Sequence, residues 1–118
     1  FLMQRKNGRI NMEFSVYGCN AGCYNDVDLM LYDSNFEYNW QFQCYFKDVE
    51  LLNELNNRGI YNRENKVILL DREDIYNFYA DNYINADENI CELMNNIEMI
   101  KDMAFESEDY WYLIVDIY

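Results

Sequence analysis

The sequence predicts an α+β domain in which an antiparallel β-meander of three N-terminal strands, joined by two later strands, packs as one sheet layer against about three α-helices on a single face. Two patterns and one absence lead to it. Phe36, Tyr38, Trp40, Phe42, Cys44 and Phe46 alternate with Glu37, Asn39, Gln41, Gln43 and Tyr45, the period-two signature of a strand with one face on a core and one in water. Ile90, Leu93, Met94, Ile97, Ile100 and Ala104 repeat at helical spacing and fall within one half-turn. The chain holds no Pro and only 4 Gly, which leaves little material for long linkers.

The elements follow in order. Residues 1–9 read as a flexible basic lead-in carrying Arg5, Lys6 and Arg9, and residues 10–118 as a single α+β domain. Ile10, Met12, Phe14 and Val16 alternate with polar residues as a first strand, and Gly18 to Asp26 reads as a loop. Val27 to Tyr32 reads as a second strand, Asp33 to Asn35 as a turn and Phe36 to Phe46 as the third strand. Lys47 to Arg58 switches to helical spacing through Val49, Leu52 and Leu55, with Gly59 as its stop. Asn62 to Asn65 is a polar connection, and Val67 to Leu70 a short buried strand.

Asp71 is a helix N-cap with Asp74 three positions on, close to a capping box, and Ile75, Phe78, Tyr79 and Tyr83 share one side of that helix. Asp87 caps the next helix, whose outer side carries Glu88, Glu92, Asn95, Glu98, Asp102, Met99 and Met103. Tyr110 to Tyr118 is apolar on nearly both faces, which places it inside the sheet.

At 118 residues the chain is long enough to close one core, and 51% apolar residues argue against disorder despite a net charge of −13. No run approaches the length of a membrane span, and the first six residues are too short and weakly apolar for a secretory signal, so a cytoplasmic protein inside a host cell is expected. With no His, Ser-His and Cys-His nucleophile pairs are excluded, and no glycine-rich phosphate loop is present. Asp26-Val27-Asp28 lacks the Gly and terminal Glu of a calcium loop. Cys19 and Cys23 stand as one loose CxxxC, with Cys44 and Cys91 far away, so zinc is not signalled and free thiols are expected, with a Cys19–Cys23 disulfide as the alternative. The expectation is therefore no catalysis, no cofactor and no metal.

Charge is the strongest signal. After Arg72 stand twelve carboxylates up to Asp116, against the single base Lys101. Abundant Asn, Tyr and Ile are what AT-rich coding produces, and the same bias should enrich Lys, yet only Lys6, Lys47, Lys66 and Lys101 occur. The acidity thus runs against base composition. It exceeds the roughly 8 charges that solubility asks of a small domain. Such a field repels nucleic acid and anionic membranes and draws basic partners.

The residues expected to meet a partner are Glu73, Asp74, Asp81, Asp87, Glu88, Glu92, Glu98, Asp102, Glu106, Glu108 and Asp109. Glu88 to Glu92 rises about 6 Å along a helix and Glu92 to Asp102 about 15 Å, spacings comparable with those between phosphates. In size, charge and aromatic content the chain resembles small acidic α+β proteins of phages and mobile elements that block restriction or CRISPR nucleases by imitating nucleic acid. Acidic immunity proteins that plug nuclease toxins are similar in the same respects. Both likenesses are compositional. They imply a non-catalytic inhibitor of a basic, nucleic-acid-handling protein, with an immunity protein or antitoxin as the alternative. A third expectation is an oligomerising domain, such as a homodimer, that uses the Asn, Gln and Tyr face of the sheet.

Overall fold

A computed structural model describes residues 5–6, 9–10, 12–23, 39–63, 66–85 and 87–118, with backbone alone at 5–6, 9–10 and 39–40. Among them, three helices and a five-stranded antiparallel sheet form an α+β fold. Strands β1 (Arg5–Lys6) and β2 (Arg9–Ile10) pair with each other, β2 reaching one residue past the expected lead-in of residues 1–9. The main sheet is built from β3 (Phe14–Gly22), β4 (Asn39–Phe46), β5 (Ile60–Asn62), β6 (Val67–Leu70) and β7 (Tyr110–Ile117). Its spatial order is β4-β3-β7-β6-β5. The last strand is therefore an inner one, as its two apolar faces require. The strands are not laid down in sequence order, since β3 takes β4 on one edge and β7 on the other. The expected second strand, 27–32, and the turn at 33–35 lie outside the described residues.

The loop expected from Gly18 to Asp26 begins later, because β3 runs on to Gly22. Gly18 serves close packing and not a turn. It pairs with Phe42 across the strands, and a Cβ there would fall 2.3 Å from the Phe42 ring. The aromatic ring lies where a side chain would otherwise stand. Asn20, Cys19 and Ala21 thereby join the sheet.

Helix α1 (Val49–Arg58) starts at Asp48, whose carboxylate accepts from the amides of Glu50 and Leu51, and it buries Leu51, Leu52 and Leu55. Gly59 is not the left-handed stop that its position suggests. Its backbone is extended, and a Cβ there would meet the Leu69 carbonyl at 2.6 Å, so glycine lets the chain pass close to β6. The polar connection expected at 62–65 overlaps the last residue of β5, a strand of three residues that escapes periodicity because Ile60 is 74% exposed.

Helix α2 (Arg72–Asp81) opens with a complete capping box, the Asp71 carboxylate accepting from the Asp74 amide and the Asp74 carboxylate from the Asp71 amide. It buries Ile75 and Phe78, but it ends at Asp81, so Tyr83 lies beyond the last turn and is exposed. Helix α3 (Glu88–Glu106) is capped by Asp87 and buries Leu93, Ile97, Ile100 and Ala104. Those side chains share one core with Phe14, Val16, Phe42, Phe46, Ile68, Leu70, Trp111, Leu113 and Val115 of the sheet. A second buried cluster holds Cys19, Ala21, Val67, Tyr112 and Ile114, which alternate with the first set along the strands and so lie on the opposite face. None of the four cysteines is in a disulfide, and no helix among the described residues is long and apolar enough to cross a membrane.

Candidate partner-binding surface

The helix geometry that buries one side of α3 fixes what the other side can present. At 100° per residue Glu88, Glu92, Asn95, Met99, Asp102 and Glu106 fall within a narrow stripe opposite the core, and all six are exposed. The stripe is about 27 Å long at 1.5 Å per residue. Its acids come in two pairs one turn apart, Glu88 with Glu92 and Asp102 with Glu106, separated by Asn95 and by Met99, which is 64% exposed. Like charges at that spacing repel, at about 0.2–0.5 kcal/mol a pair.

The eleven expected residues divide into two groups. Five have work inside the fold. Asp74 and Asp87 are capping side chains. Asp81 pairs with Arg58 Nη1 at 2.8 Å, and the same guanidinium bonds Glu54 at 2.6 Å through Nε and lies 5.7 Å from the Phe78 ring centre. Glu98 accepts from the Tyr79 hydroxyl at 2.6 Å and from Lys101 at 2.9 Å. Asp109 accepts from Asn20 Nδ2 at 3.2 Å. The other six, Glu73, Glu88, Glu92, Asp102, Glu106 and Glu108, are exposed, and their carboxylates have no hydrogen-bonded or ionic partner among the described residues.

Electrostatics follow this division. The Tyr79 hydroxyl, then Lys101, hold the Glu98 carboxyl below its ordinary range. Partial burial pushes Asp74 upward, with the nearby Asp71 charge adding to it. An aromatic seam joins the two acidic helices on their outer side. Tyr76 meets Phe105 edge-on at 5.4 Å, and Tyr79 meets Phe105 and Tyr83, each at 6.0 Å. The Tyr76–Phe105 and Tyr79–Phe105 contacts pack α2 against α3.

The C-terminal end of α3 differs from the rest. A cleft of about 330 Å³ opens there between the helix and the sheet, with Asp102, Met103 and Glu106 on one wall and Asn20 and Asp109 on the other. Its buried lining residue is Trp111, only 3% exposed. The Trp111 indole Nε1–H meets no acceptor among the described residues. A buried donor left unmet costs about 1–3 kcal/mol. The last turn of α3 carries no base of its own; Arg72 of α2 donates to the Ser107 carbonyl at that end and supplies the positive charge that a helix C-terminus favours.

No protein-family model matches the chain, and neither a curated protein nor a solved structure is detectably similar to it. Functional inference therefore rests on the surface itself. Sequence reasoning picked out the carboxylates but not Trp111 or Asn20, which enter the cleft through strand pairing: Asn20 stands opposite Trp111 across β3 and β7. Nor does the sequence separate Asp81 from its unpaired neighbours, because its partner Arg58 lies on a different helix.

Proposed function

We propose that this protein is an acidic, non-catalytic inhibitor that occupies the nucleic-acid-binding surface of a basic nuclease, as in phage or mobile-element counter-defence against restriction or CRISPR systems. The observation that supports it is the α3 stripe: two like-charged carboxylate pairs on a rigid helix, with no base among the described residues to answer them. Such an arrangement costs the free protein stability and gains a return only against a basic surface. Around it Met99 and Met103 supply adaptable apolar contact within a charged rim. The carboxylates stand in for phosphates, and the partner's Lys and Arg side chains, suited to neutralising a nucleic-acid backbone, neutralise them in turn.

The test is a DNA-cleavage assay on purified basic nucleases of three kinds: a CRISPR effector, a restriction endonuclease and a nuclease toxin. The expected result is stoichiometric inhibition of at least one, relieved by excess DNA and weakened steeply by salt. Absence of inhibition across the panel, or inhibition that DNA cannot relieve, contradicts the proposal.

A further inference from the structure

The connection between α2 and α3 holds an apolar tip out in water on a built loop. Asn82, buried at its base, donates through Nδ2 to the Phe78 carbonyl at 2.9 Å. Its Oδ1 accepts from Asn85 Nδ2 at 3.2 Å, and Asn85 Oδ1 accepts from the Asp87 amide at 2.8 Å. Between these two asparagines stand Tyr83, 69% exposed, and Ile84, 92% exposed. Tyr83 meets Tyr79 edge-on and so carries the Tyr76–Phe105–Tyr79 seam out to the tip. The tip therefore ends a run of apolar surface and is not a lone exposed side chain.

Charge decides what can cover it. Asp81 and Asp87 flank the tip in the chain, and the exposed Glu88 opens the acidic stripe of α3 next to it. An anionic membrane or a nucleic acid is repelled there, and a basic protein is drawn. We propose that Tyr83 and Ile84 are the apolar anchor of the interface, seated in an apolar pocket rimmed by Lys and Arg on the basic partner. Opposite charge speeds and orients an encounter, whereas buried aromatic and apolar anchors hold the complex together. The acidic stripe attracts, and the tip holds. This inference deepens the inhibitor reading and rests on it for the identity of the partner.

Two replacements of Ile84 test it in the cleavage assay on an inhibited nuclease. Ile84→Ser removes the anchor, and Ile84→Asp removes it while adding a carboxylate. Attraction of charge alone makes the Asp variant the tighter inhibitor, whereas loss of an anchor makes both variants about tenfold weaker. Ile60→Ser, which takes an exposed isoleucine from β5, is expected to inhibit like wild type. Ile84 variants that inhibit as well as wild type or better overturn the proposal, as does an equal loss in Ile60→Ser. A second measurement needs no nuclease. The full chain is titrated with amino-β-cyclodextrin, an apolar cavity with ammonium groups in place of its primary hydroxyls, and the isoleucine methyl signals are followed by nuclear magnetic resonance. The Ile84 signal, identified by its absence in Ile84→Ser, is expected to move saturably and at lower concentration than with uncharged β-cyclodextrin. A static Ile84 signal, or one that moves no more than that of Ile60, overturns the proposal. The two readings also fail separately. A cyclodextrin response in a protein that blocks no nuclease keeps the anchor and removes the inhibitor reading. A nuclease blocked equally well by wild type and both Ile84 variants keeps the inhibitor reading and removes the anchor.

Discussion

Two acidic corners of this molecule solve the same problem in opposite ways. Where α1 meets α2, Glu54 and Asp81 are held by Arg58, whose guanidinium also lies beside the Phe78 ring. At the far end of α3, where Arg72 of α2 donates to the Ser107 carbonyl, Asp102 and Glu106 stand one turn apart without an ion-pair partner among the described residues. The first corner is closed and supports the fold. The second is open, and its charge works against the helix that carries it. An excess of acid in a sequence therefore has two meanings, told apart by whether the fold brings a base to it.

Removing the base from the closed corner gives the largest effect. Arg58→Ala leaves Glu54 and Asp81 unpaired and strips the cover from Phe78, and it should cost about 2 kcal/mol in urea unfolding. A loss near zero would mean that the corner is as idle as the open one. Giving the open corner a base works in the other direction. Glu106→Lys replaces a like-charge pair with an ammonium group one turn from the Asp102 carboxylate, so it should stabilise by about 0.5 kcal/mol while abolishing nuclease inhibition. A destabilised Glu106→Lys protein would show that Glu106 already has a structural role.

A smaller effect concerns pH. Because Glu98 is held below its ordinary range by Tyr79 and Lys101, its contribution to stability is present above the unfolded-state pKa. It is lost as pH falls through the lowered folded-state pKa. Glu98→Gln should accordingly lower the Tm at neutral pH and make little difference in strong acid. A Tm gap that persists unchanged in acid would separate Glu98 from that network.

Much of the fold was legible because single residues dominate locally. Asp71 with Asp74 and Asp87 announced two helix starts, and the half-turn of Leu93, Ile97, Ile100 and Ala104 announced the buried side of α3. The apolar faces of β7 announced an inner strand. What escaped depends on contacts distant in sequence. Gly18 and Gly59 look like turn residues until Phe42 and Leu69 are brought against them, and β5 is too short and too exposed to show a period. The site follows the same rule. The carboxylates were visible as a charge imbalance, while their division into paired and unpaired sets, and the place of Trp111 beside Asp102 and Glu106, needed the third dimension.

The central claim is that the outer carboxylates of α3 serve a partner and not the fold. Thermal unfolding of the triple variant Glu92→Gln, Asp102→Asn, Glu106→Gln, at low and at high salt, tests it most directly. Relief of like-charge and helix-end repulsion should raise the Tm by a few degrees at low salt, and the gain should shrink as salt screens the charges. A variant that melts several degrees below wild type at both salt concentrations would show that these carboxylates hold the fold together, and would contradict the account.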